Sequence, residues 1–143
     1  MISRPWPQAD SLFKVVSVCK NLPSNKKEII ESLSLDFGFS ERQCSYYISA
    51  ALWLGIVLVE DGQYYSQESH DDPYEYITEV LKKNKVFASA IEQLNQTGTI
   101  RNQSVIENLL MYSNLKSQAN STHRRRARTV ISWVTTLKDK GYV

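Results

Sequence analysis

No apolar run in the 143 residues approaches the roughly 20 needed to cross a bilayer, and the opening stretch MISRPWPQAD lacks the apolar segment of a secretory signal. A cytoplasmic protein without a membrane partner is therefore expected. Cysteine is scarce: Cys19 and Cys44 have no C-x-x-C spacing and stand among apolar neighbours, which points to buried, reduced thiols rather than a disulfide or a metal site. Histidine is as scarce, and neither His70 nor His123 has ligand spacing to a cysteine, so no metal is expected. Neither a Walker loop, nor G-x-S-x-G, nor a glycine-rich nucleotide fingerprint occurs. The Glu/Asp-x-Lys triplet of common restriction nucleases is missing too, Glu79 and Lys82 read as an ordinary surface pair, and Asp71-Asp72 as a linker end and helix cap. No catalytic residue, cofactor or metal ligand is expected, and an enzyme acting through this chain alone is disfavoured.

What the chain does hold is an apolar fraction of 42% with eight Tyr, four Phe and three Trp, enough for a packed core. Its net charge of +2 conceals a division. Residues 1–72 carry six Lys/Arg against ten Asp/Glu, net −4, whereas residues 73–143 carry eleven against five, net +6. A basic half beside an acidic half suggests that one surface meets a polyanion.

The polar stretch SQESHDDP, residues 66–73, reads as a linker between two units, 1–69 and 70–143. In the first, Leu12, Val15, Val16 and Cys19 recur at helical spacing, and Pro23 closes that segment. Ser24 is the expected N-cap of a second helix. Ser40 precedes Gln43 by three residues, the capping-box spacing, and opens a third helix with the stripe Cys44, Tyr47, Ile48, Ala51, Leu52, ended by Gly55. The period then changes to alternation in IVLVEDGQYYS around Asp61-Gly62, a dipeptide suited to a tight hairpin. Three helices and a hairpin is a winged-helix order.

The second unit repeats the plan. A stripe of Tyr76, Ile77, Val80 and Leu81 continues towards Phe87, Ile91 and Leu94 as one helix, broken at Thr97-Gly98. Val105, Ile106, Leu109 and Leu110 give the next helix, and Val130, Trp133, Val134 and Leu137 a third that stops at Gly141. Setting Gly55-Ile56-Val57 on Gly141-Tyr142-Val143 places Arg42 on Arg128, Cys44 on Val130, Tyr47 on Trp133 and Ile48 on Val134. The expected fold class is mainly α with short β-hairpin wings, a tandem winged helix-turn-helix. Its second wing is expected to be truncated or absent, or the chain to be cut from something longer.

Residues 121–134, STHRRRARTVISWV, set four arginines within five positions directly before that apolar stripe. With Val130, Trp133, Val134 and Leu137 inward, Arg124, Arg125, Arg128, Thr129 and Ser132 are expected on the outward face and Arg126 nearer the flank. Like charges so spaced repel by a few tenths of a kcal/mol per pair, and cations near a helix N-terminus cost about 0.3–1 kcal/mol. Phosphate contact would compensate, because arginine binds phosphate oxygens bidentately and the start of a third helix enters the major groove in this architecture. Arginines, Thr129 and Ser132 could then reach base edges. The alternative is a solvated basic face that partners acids of the first half. The first unit's third helix offers Glu41, Arg42, Ser45, Tyr46 and Ser49 outward, too little positive charge for strong phosphate binding, though Arg42, Ser45 and Tyr46 could read bases. RNA is less expected, since no exposed aromatic platform accompanies the arginines.

Ser121-Thr122, Arg125-Arg126-Ala127, Thr129-Val130 and Ser132-Trp133 resemble an S-T-x-x-R-R-A-x-T-V-x-S-W signature of bacterial winged-helix modules in restriction-modification and related defence proteins. Arg42-Gln43, Tyr46-Tyr47, Ala50-Ala51 and Leu54-Gly55 similarly resemble the R-Q-x-x-Y-Y-x-x-A-A-x-x-L-G helix in the first half of such modules. The resemblance implies sequence-specific binding of double-stranded DNA as the target-recognition part of a restriction endonuclease, whose nuclease domain would lie elsewhere in a longer protein. Thr122 joins the candidate contacts on that ground. The alternatives are a protein-protein interaction module and a DNA-binding transcriptional regulator.

Overall fold

The computed structural model describes residues 6–67, 71–112 and 121–143. The chain divides into two compact units, Met1–Pro73 and Tyr74–Val143. The boundary expected at 69/70, the centre of the linker and His70 lie outside the described residues.

Unit 1 runs α1 (Leu12–Val16), a 3₁₀ turn (Ser17–Cys19), β1 (Ser24–Asn25), α2 (Lys26–Phe37), α3 (Glu41–Leu54), β2 (Val57–Glu60) and β3 (Gln63–Ser66). The strands form a small antiparallel sheet in the order β1-β3-β2. Its hairpin turns on Asp61 and Gly62, both at positive φ (52° and 76°), the conformation a two-residue turn demands. Ser40 and Gln43 close the expected capping box of α3. For α2 the cap is Asn25, boxed with Glu28, and not Ser24. Ser24 lies in β1 and donates its hydroxyl to the Asn21 carbonyl at 2.6 Å, which leaves the next residue to cap. Each such cap stabilises its helix by about 1 kcal/mol.

The core of unit 1 joins Leu12, Val15 and Val18 to Ile29 and Leu33 of α2 and to Cys44, Ile48, Ala50, Ala51 and Leu54 of α3. Leu52 and Tyr47, expected in the stripe, are half-buried, while Ala50 and Leu54 are buried. The reason is that α3 packs on α1, α2 and β2 together, so its buried arc is wider than a single-sided stripe. Tyr47 takes a boundary role: its ring stacks on Phe39 at 4.7 Å and its hydroxyl accepts the Ser11 N–H at 3.3 Å. Both cysteines are free thiols; burial pushes the Cys19 thiol up to about 11, so it is a poor nucleophile at neutral pH.

Unit 2 holds α4 (Pro73–Lys82), α5 (Lys85–Thr97), α6 (Asn102–Tyr112) and α7 (Ser121–Asp139), with no strand among the described residues. The single long first helix expected from periodicity is in fact two. Asn84 ends the run by accepting the Val86 and Phe87 amides on its side-chain oxygen, at 3.0 and 3.3 Å. The break also serves burial. At about 100° per residue, Val86 would sit on the opposite side of an unbroken helix from Ile77, yet both are buried.

Helices α5, α6 and α7 pack on one another around Phe87, Val105, Leu109, Val130, Trp133, Val134 and Leu137. The Phe87 and Trp133 rings stack at 5.7 Å. Gln93 ties α5 to the start of α6, donating to the Ser104 hydroxyl at 3.2 Å and accepting the Arg101 amide at 2.9 Å. Lys138 Nζ donates to Asn95 Oδ1 at 3.0 Å, fixing the far end of α7 to α5.

Candidate nucleic-acid interface

The apolar residues of α7 determine where its arginines point. Val130, Trp133, Val134 and Leu137 are all fully buried, as expected, and Ala127 extends the stripe one turn towards the N-terminus. With that face fixed, Arg124, Arg125 and Arg128 are exposed on the opposite side. None of them forms an ion pair among the described residues. Among the described residues no carboxylate pairs with them, which leaves their charge open to an external anion.

Arg126 differs from its neighbours. It points to the flank nearer the core, is half-buried, and its Nε atom is buried with no hydrogen-bond partner among the described residues. Burial lowers the pKa of its guanidinium, and the adjacent Arg125 charge lowers it further. Arg126 therefore stands apart from the exposed row.

Thr129 is a correction. It was expected on the outward face, but it is fully buried and its hydroxyl donates to the Arg125 carbonyl at 3.3 Å. Four residues before Trp133, it lies at the edge of the arc that α5 and α6 cover from two sides. It cannot reach a base edge from there. Ser132 and Thr122 are half-buried, on the margins of the exposed row.

Arg124 and Arg128 stand one turn apart and line a groove of about 350 Å³ with Asn102, Gln103 and Ile106 of α6. Asn102 and Gln103 are the first two residues of α6, where helix N–H groups lack intrahelical acceptors and the dipole favours an anion. Sequence reasoning missed these two. The signal was available, because they precede Ile106 by four and three residues as Lys26 and Lys27 precede Ile30 in α2. Also missed was His123, which is buried; it falls four residues before Ala127 and seven before Val130, on the packed face.

In unit 1, Arg42 donates through Nε to the Tyr46 hydroxyl at 2.9 Å and stacks its guanidinium over the Tyr46 ring. Both candidates are thereby engaged with each other, and Tyr46 and Ser45 are half-buried. The groove between α2 and α3 is lined by Lys26, Lys27, Ile30, Glu31 and Glu41, so each cation there has an acid nearby.

Fold and site together define a two-unit, mainly helical protein with a small antiparallel sheet and a row of exposed arginines on one helix face. The chain belongs to the DUF7226 family, a domain of unknown function, whose family model matches residues 14–139 and so reaches into both units. It has no match among curated proteins or among solved structures. No helix among the described residues is long and apolar enough to cross a membrane, and no group of three or more potential metal ligands occurs among them.

Proposed function

We propose that the α6–α7 face of unit 2 binds double-stranded DNA, with Arg124, Arg125 and Arg128 of α7 on the phosphates and at base edges and with Asn102 and Gln103 holding the same backbone from α6. The observation that carries this reading is the row of exposed arginines, without an ion pair among the described residues, beside the groove at the start of α6. Guanidinium groups bind phosphate bidentately, and helix N-termini add oriented N–H groups to the same anion. Folding gains nothing from that row, since neighbouring like charges near a helix N-terminus are unfavourable.

In this reading both units are winged-helix modules. The order helix, strand, helix, helix and hairpin in unit 1, and the packed triplet α5–α6–α7 in unit 2, support it. The resemblance of α3 and α7 to restriction-modification modules suggests the target-recognition part of a restriction endonuclease in the cytoplasm, with catalysis supplied by a nuclease domain rather than by this chain. Unit 1 contributes less to the duplex, because Arg42 is held by Tyr46.

The test is the salt dependence of duplex binding. Neutralising about four to six phosphates gives a fall of log K with log salt of slope roughly −4 to −5. Fluorescence anisotropy with a labelled random duplex measures it, and an affinity indifferent to salt would sink the proposal. Selection from a duplex library, with and without cytosine methylation, then reads the preferred site.

A further inference from the structure

The hairpin of unit 1 contradicts the usual role of a DNA-contacting wing. Residues 56–66 include Glu60 and Asp61 at the tip and no Lys or Arg. A phosphate backbone would repel this tip. Three of its apolar residues are nevertheless exposed: Leu58 at 47%, Tyr65 at 43% and Val59 at 39%. Leu58 and Tyr65 are directly cross-strand partners, so they form one apolar pair on one face of the sheet.

β2 is also an edge strand, in the sheet order β1-β3-β2. The Gln67 amide donates to the Ile56 carbonyl at 2.9 Å, and the register sets Leu58 opposite Tyr65 and Glu60 opposite Gln63. Ile56, Leu58 and Glu60 therefore turn their N–H and C=O groups to β3, and Val57 and Val59 turn theirs outward. Neither a lysine nor a proline protects β2, whose four residues include one charge, Glu60.

We propose that the outer edge of β2 is a docking site for an extended basic segment of a partner protein, which joins the sheet as a further strand beside Val59 and lays apolar side chains on Leu58 and Tyr65. Charge complementarity selects this occupant. The tip carries Glu60 and Asp61, and residues 1–72 carry net −4 from six Lys/Arg and ten Asp/Glu. A second copy of the chain would bring two such acidic units together, whereas lysines or arginines flanking a β-branched segment pair with the tip. Main-chain hydrogen bonds supply affinity, and alternate side chains supply specificity.

Binding of a synthetic peptide alternating lysine and valine to the full chain, followed by fluorescence anisotropy, tests the proposal. Val59→Pro removes an outward N–H without touching the bonds to β3, and Val59→Ala keeps that N–H. The expected result is that Val59→Pro weakens the peptide at least about tenfold while Val59→Ala does not, the difference one strand hydrogen bond and its steric block can make. Glu60→Lys with Asp61→Asn, both at exposed positions, is expected to weaken it similarly, and a glutamate–valine peptide is expected not to bind. Duplex affinity should be unaffected by the two Val59 variants, which leave the charge unchanged. Equal binding to Val59→Pro, equal affinity for the acidic peptide, or a self-association that Val59→Pro abolishes would overturn the proposal.

Discussion

Two grooves of nearly the same size lie at corresponding places in the two units. In unit 1 about 360 Å³ is lined by Lys26, Lys27, Ile30, Glu31 and Glu41; in unit 2 about 350 Å³ is lined by Asn102, Gln103, Ile106, Arg124 and Arg128. Each uses the first, second and fifth residues of its own helix, α2 or α6, against the start of the helix that follows. The shape is shared and the charge is redistributed. Unit 1 keeps its cations on the earlier helix beside two carboxylates, and unit 2 moves them to the later helix and removes the acids. Backbone geometry alone therefore does not decide which groove would attract an anion; the balance of fixed charge around the groove does.

The cores of the two units differ along the same axis. Trp133 is wholly buried and stacks on Phe87, whereas Tyr47, at the aligned position of α3, is half-buried with its hydroxyl on the Ser11 amide. Trp133→Ala should remove about 3–5 kcal/mol of stability by loss of burial and creation of a cavity. Tyr47→Ala should cost about 1–3 kcal/mol, because the site is open to solvent and can relax. Chemical denaturation followed by circular dichroism checks both. Equal losses would break the comparison by showing that α3 depends on its aromatic as heavily as α7 does.

A pair of double variants sharpens the comparison of the grooves. Arg124→Ala with Arg128→Ala deletes two charged contacts worth about 1.5–3 kcal/mol each if both meet phosphate or base, so duplex affinity should fall at least about 100-fold. Lys26→Ala with Lys27→Ala should change it by less than about threefold, since Glu31 and Glu41 line the same groove and would repel a phosphate there. Thermal transitions should barely move in the arginine variant, as both side chains are exposed. A large loss of stability without loss of binding would assign the arginines a structural role instead.

Much of this contrast was legible in the chain. Val130, Trp133, Val134 and Leu137 gave the inward face of α7, and the outward direction of Arg124, Arg125 and Arg128 followed from helical geometry alone. Thr129 was misplaced because a periodic stripe marks the centre of a buried arc, and its edges depend on how many neighbours pack against it. Leu52 and Leu54 exchanged roles for the same reason, with β2 covering the end of α3. His123 was hidden by its polar neighbours although its spacing to Ala127 and Val130 was helical. The tip charges of the hairpin were visible throughout, but only the register shows that Leu58 meets Tyr65 and that Val59 faces the open edge.

The smallest expected effect concerns the feature that unit 2 adds to the shared plan, the break between α4 and α5. Asn84 supplies the cap, and burial is a second reason for the turn, since Ile77 and Val86, both buried, would stand on opposite sides of one continuous helix. If burial decides, Asn84→Ala should cost only about 1 kcal/mol, the value of one N-cap. The break should survive, with the amides of Val86 and Phe87 exchanging with solvent faster than in the parent because their acceptor is gone. Hydrogen exchange resolved at these residues measures the second effect, and circular dichroism the first. A gain in helix content with slowed exchange at Lys83 to Phe87 would mean that alanine fuses α4 to α5. In that case the cap, and not the core, sets the division of α4 from α5, which has no counterpart among the described helices of unit 1.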